Sequence, residues 1–156
     1  RICIVWLGGH PYYWPNTAEF NLQQDIPAAR VVFDSGAAVV HVPCKNVAEH
    51  LRTTLPEIET YVRGQGAIGD YLYQIFYDFA PDHYARSKVL WDISTVAYLN
   101  DPDWVPTVLA PSPTPRDDRT WAPVDEDRHP VRVATDVRRD AVYGDLFRKL
   151  AAHAQG

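Results

Sequence analysis

At 156 residues, with 46% hydrophobic and 22% charged side chains, the chain is long enough to bury one sizeable core, and one globular domain is expected. A net charge of -5 gives no footprint for nucleic acid or an anionic membrane, and no apolar run has the length of a membrane-spanning helix. Cys3 and Cys44 lie in strand-like apolar runs and read as buried, reduced thiols, which favours a cytoplasmic setting.

The chain contains no methionine and opens on Arg1 inside a strand-like run, as expected of a processed or partial chain. Ile2 to Leu7 is continuously apolar and closed by Gly8-Gly9, the pattern of a parallel-sheet strand buried on both faces. The loop from His10 to Asn21 then leaves the carboxyl end of a strand, where ligands of open α/β sheets sit. Asp25 caps a helix with Pro27 in its first turn, Ser35-Gly36 stops it, and Ala37 to Val42 reads as a second buried strand, so the start of the chain is a βαβ crossover. Asn46 opens a short helical piece to Leu51, and Thr54 with Glu57 has capping-box spacing for a helix from Leu55 to Val62.

Beyond Gly66, the residues Ile68, Leu72, Ile75, Phe76 and Phe79 recur at helical spacing. Ala80 to Lys88 reads as a polar connection, and Ile93 to Leu99 as an apolar helix. Pro-rich sequence follows to His129, with Thr107 to Leu109 and Val131 to Ala134 as an edge hairpin. Asp136 is expected to cap a last helix with Val142, Leu146 and Leu150 on one face.

No nucleophile elbow, phosphate loop or zinc spacing is present. Two places remain for chemistry. In an extended segment Glu19 and Asn21 point the same way and reach one polar ligand while Phe20 turns to the core. The alternative is a surface loop that caps the next helix. Tyr12, Tyr13 and Trp14 beside the pair suit a sugar or nucleoside pocket. Asp92, next to Trp91 at the start of an apolar helix, is either an N-cap or a ligand-binding carboxylate for a hard cation.

The run Trp14-Pro15-Asn16-Thr17-Ala18-Glu19-Phe20-Asn21, continued by Asp25 to Arg30 and Val31 to Gly36, resembles the central motif of the inosine-uridine preferring nucleoside hydrolases. Trp91 to Leu99 is similar to that family's C-terminal active-site helix. The resemblance implies a Rossmann-like α/β fold, a mainly parallel sheet flanked by helices, and a calcium-dependent N-ribohydrolase that splits nucleosides into base and ribose. It makes Glu19 and Asn21 ribose contacts, Asp92 a calcium ligand that also touches the ribose and serves catalysis, and Trp91 a stacking surface that favours purine nucleosides. His10 joins the substrate-binding set, where relatives commonly carry an asparagine.

The family's aspartate cluster, Asp-x-Asp-x-x-x-Asp-Asp, is absent, so residues 1–156 resemble only the C-terminal part of a truncated nucleoside hydrolase domain. The implied partners are a nucleoside and either a second copy or a complementary N-terminal chain, in nucleoside salvage. A non-catalytic remnant that binds a ribose-containing ligand or a protein partner is the alternative.

Overall fold

A computed structural model describes residues 2–154; Arg1, read above as opening a strand-like run, lies outside the described residues. The strands are β1 (Cys3–Leu7), β2 (Ala38–Val42), β3 (Arg52–Thr54), β4 (Ser87–Val89), β5 (Thr107–Pro111) and β6 (Pro130–Ala134). The helices are α1 (Phe20–Gln24), α2 (Ile26–Asp34), α3 (Leu55–Tyr61), α4 (Gly66–Asp78), α5 (Ile93–Asn100) and α6 (Arg139–His153). They form two compact units, residues 2–50 with 91–137 and residues 51–90 with 138–154.

In the first unit the sheet order is β1-β2-β6-β5, with β1, β2 and β6 parallel and β5 antiparallel to β6. The β1–α2–β2 crossover forms as the sequence predicts. Asp25 Oδ1 accepts from Ala28 N at 2.8 Å, so the helix starts where a carboxylate satisfies one of its free N–H groups. Phe33, Val39, Val131 and Val133 make the core, with Ile4, Trp6, Tyr12 and Trp121 packed on it.

Two expectations fail at the sheet edges. β1 is an edge strand, so Ile4 to Trp6 are only half-buried and Cys3 is exposed; Cys44 alone is buried, and both thiols are free. β6 is interior, because it takes β2 on one side and β5 on the other; of the expected edge hairpin, β5 is the strand at the edge. A run of apolar residues specifies a strand but not the neighbour that would cover it.

The second unit joins β3 and β4 as an antiparallel pair that the short polar segments Arg52–Thr54 and Ser87–Val89 do not announce. Ile58, Val62, Phe76 and Leu150 form its core, with Leu72, Leu146 and Phe147 against them. Ile68, Ile75 and Phe79, predicted on the buried stripe of α4, are about half exposed, because Phe76 and Leu72 take the contact with α3 and α6.

The capping box is also replaced. Thr54 makes no side-chain cap; Thr53 Oγ1 donates to Glu57 Oε2 at 2.5 Å, and the same carboxylate oxygen takes the Arg139 guanidinium. Asp136 does not cap α6: its Oδ1 accepts from Val137 N, and the helix opens later, after Arg138. Among the described residues, no helix is long and apolar enough to cross a membrane.

Candidate functional site

The site is built on the turn that ends β1. Gly9 has φ +63, where a side chain is strained, and a Cβ there would meet Thr17 Oγ1 at 2.6 Å. That close approach lets Thr17 Oγ1 accept from His10 N at 3.0 Å. The chain then folds back so that Glu19 lies against the turn.

Glu19 and Asn21 do not sit in an extended segment. Glu19 is the N-cap of α1: Oε1 accepts from Asn21 N at 3.0 Å, and Oε2 from Leu22 N at 3.2 Å and Gly9 N at 2.7 Å. Two of these donors, Asn21 N and Leu22 N, lie in the first turn of α1, so the carboxylate begins a helix, which overrides the alternation assumed from sequence. Leu22 fills the core position in place of Phe20, which is 70% exposed. The capping alternative for this segment is therefore realised, and it does not remove Glu19 from the cavity described next.

Asn21 Nδ2 donates to Leu7 O at 3.0 Å. The amide is thereby oriented with Nδ2 on the strand and Oδ1 free of any protein hydrogen bond among the described residues.

A cavity of about 560 Å³ opens over this turn, and His10, Glu19, Asn21, Trp91 and Asp92 all line it. The five residues singled out from sequence are thus brought together within the first unit. Asp92 occupies the N-cap position of α5 in an αR conformation and makes no side-chain cap; its backbone O accepts from Thr95 Oγ1 at 3.0 Å. Its exposed carboxylate is left for the cavity. Trp91 is 37% exposed, and α5 beyond it is less buried than its composition suggests, with Val96 and Leu99 exposed.

Cys44 and Lys45 also line the cavity and were not singled out as site residues. Both follow β2, which lies beside β1 and runs parallel to it, so the carboxyl-end rule for open sheets is the signal that would have found them. Burial, with the Glu19 carboxylate beside it, pushes the Cys44 thiol well above its ordinary range. Lys45 Nζ lies 3.5 Å from Glu49 Oε2.

His10 is 8% exposed. Burial lowers its pKa below the usual histidine value, against the opposing pull of the Gly9 carbonyl and Glu19. Behind the turn, His41 is fully buried: its ring bonds Gly8 O at 2.7 Å and the Tyr12 hydroxyl at 3.0 Å. Among the described residues, no three His, Cys, Asp or Glu side chains gather as a metal site.

The sequence profile of the family described as inosine-uridine preferring nucleoside hydrolase matches residues 2–146. Compared with curated protein sequences, the chain has no significant match. Among solved structures it is similar to a plant nucleoside hydrolase, with TM-score 0.76 and 23% identity over 95% of this chain and 51% of that one. It is similar as well to the inosine-uridine preferring nucleoside hydrolase from Bacillus anthracis, with TM-score 0.72 and 20% identity over 96% and 51%. The purine-preferring ribonucleoside hydrolase from Gardnerella vaginalis gives TM-score 0.66 and 20% identity over 96% and 51%.

These likenesses establish a shared fold, and the chain spans about half the length of the solved structures it matches. With the profile running through both motifs and into α6, the chain belongs to the inosine-uridine preferring nucleoside hydrolase family.

Proposed function

We propose that this chain supplies the ribose- and base-binding wall of a nucleoside N-ribohydrolase, with purine nucleosides preferred. The observation that carries it is the gathering of His10, Glu19, Asn21, Trp91 and Asp92 on one cavity. Trp91 offers an indole face for the leaving base, and an indole has no proton to give as a general acid, so its contribution is stacking. Asn21 Oδ1 and the Asp92 carboxylate, both without protein donors among the described residues, accept ribose hydroxyls. Glu19 already receives three backbone N–H groups, so its first task is to hold the turn, leaving at most one acceptor position for substrate.

Calcium, which the family resemblance implies, does not fit these residues by themselves. The ion takes about six to eight oxygen ligands. Asp92 offers one carboxylate, and those of Glu19 are turned to the backbone. We therefore assign the remaining ligands, and the base that activates water, to carboxylates outside these 156 residues, and this chain alone has no hydrolase activity.

The open edge of β1 is where a complementary N-terminal segment or chain would add its strand.

Calorimetric titration with inosine and uridine tests the reading. Inosine should bind more tightly than uridine, and Trp91→Ala should weaken inosine by about 1 to 3 kcal/mol, the range for stacking one base on an aromatic ring. Equal affinities, or an affinity indifferent to Trp91, would overturn it.

A further inference from the structure

We infer that Trp121 and Arg119 are positioning residues for the binding wall: the hairpin that carries them, Thr114 to Ala122, braces both ends of the turn between β1 and α1. The inference rests on the nucleoside reading above and adds to it two residues that stand outside the cavity lining.

The turn closes on itself where His10 N donates to Thr17 Oγ1 at 3.0 Å. The hairpin takes a further backbone group of each of these two residues. Trp121 Nε1 donates to His10 O at 3.1 Å, and Thr17 N donates to Arg119 O at 2.7 Å. Thr17 O in turn accepts from Glu19 N at 2.8 Å, so the brace reaches Glu19 through one residue's backbone. The indole also presses on the turn: a Cβ on Gly9 would lie 3.1 Å from Trp121 Cζ2, and Gly9 N is the donor that ties Glu19 to the turn. Thr17 and His10 are buried, so a backbone group released by the hairpin has no water at hand.

The hairpin is built to deliver the Arg119 carbonyl. Arg116 N donates to Thr120 O at 2.8 Å, Arg119 N to Arg116 O at 2.9 Å, and Pro115 pairs with Trp121 as an antiparallel bridge. A short loop of this kind ends on a left-handed residue, where glycine is favoured. Arg119 stands there with φ +64, a conformation that persists only where its surroundings hold it. From the other side, Arg30 of α2 anchors the hairpin: Nε donates to Pro115 O at 2.7 Å, and the guanidinium pairs with Asp117. The Trp121 ring is itself fixed edge-on against Tyr12 and Phe33, at 5.2 and 6.1 Å between centroids.

Native-state amide exchange and inosine calorimetry test this on the wild type and three variants. Trp121→Phe keeps a ring in the core and loses the N–H. The amides of Gly9 and His10 should then exchange about three- to tenfold faster, the worth of one hydrogen bond, while those of β2 do not change. Inosine affinity should fall by about the same factor. Arg30→Ala, which frees the hairpin from α2 without touching the core, should move both readouts in the same direction. Arg119→Gly keeps the carbonyl in its left-handed turn and should match the wild type in both. A merely structural role for Trp121 lowers the urea midpoint and leaves inosine affinity of the folded protein unchanged, which overturns the proposal. So do turn amides that do not respond to Trp121→Phe and Arg30→Ala, or affinity lost in Arg119→Gly. Absence of inosine binding to the wild-type chain overturns the nucleoside reading and the positioning role with it. Amide exchange, read without ligand, distinguishes that failure from a failure of the brace.

Discussion

Protonating His41 should loosen the platform on which the cavity stands. The ring is fully buried on β2, with Trp6, Tyr12, Phe33 and Trp121 at centroid distances of 5.6, 5.5, 5.4 and 6.0 Å. Gly8 O fixes the hydrogen on Nε2, so Nδ1 accepts from the Tyr12 hydroxyl. A second proton would point at that hydroxyl and place a charge among aromatic rings. Burial accordingly lowers the pKa from 6.5 to about 4 in the folded state.

The unfolded chain then binds this proton first as pH falls. Stability is fully present above pH 6.5 and is lost between there and about pH 4, by about 3 kcal/mol at 1.36 kcal/mol per unit. Removing the ring by His41→Leu orphans the Tyr12 hydroxyl and the Gly8 carbonyl, at about 1 to 3 kcal/mol each.

Urea unfolding of the two proteins, followed by tryptophan fluorescence, should show the wild type ahead by about 2 to 6 kcal/mol at pH 7. The gap should narrow by about 3 kcal/mol at pH 4. Tyr12→Phe, which keeps the buried ring, should retain the acid slope. A gap that does not change with pH would falsify the desolvation account and show that the stacked faces of Trp6 and Tyr12 stabilise the cation as well as water does.

Further outcomes follow from the turn and its clamp. Glu19→Gln replaces a carboxylate that serves three N–H groups with an amide that must turn a donor toward some of them, and should cost about 1 to 3 kcal/mol in urea unfolding. An unchanged midpoint would mean the clamp is dispensable. Asn21→Ala loses only the bond to Leu7 O, at about 1 kcal/mol, while weakening inosine binding. Gly9→Ala combines a left-handed backbone with the Thr17 contact at 2.6 Å and should lower stability by more than about 1 kcal/mol in thermal unfolding. Brief native alkylation should label exposed Cys3 and spare Cys44, read as one adduct by intact mass; two adducts would refute the buried, high-pKa thiol.

The elements legible in the sequence were those with a local signature. Asp25 before a proline-containing first turn announces α2, and the apolar runs on either side announce the parallel pair β1 and β2. What stayed hidden depends on partners remote in the chain. Arg52–Thr54 becomes a strand because Ser87–Val89 lies beside it, and Glu57 abandons a capping box because Arg139 and Thr53 reach it.

The candidate site shows the same division. Motif resemblance picked out residues as far apart as His10 and Asp92, and folding brings them to one cavity. Glu19 and Asn21 do not alternate along an extended segment, because a carboxylate at the start of a helix attracts the free N–H groups of its first turn. Cys44 and Lys45 escaped notice because nothing in their local sequence marks them; only the sheet places them there.

The central claim divides binding from hydrolysis: this chain holds the nucleoside, and carboxylates from elsewhere hold the metal and activate water. The direct measurement is hypoxanthine release from inosine by the purified chain with saturating calcium. The account predicts no release above the uncatalysed rate while inosine binding persists. Turnover by the chain alone, lost on chelation, would contradict it.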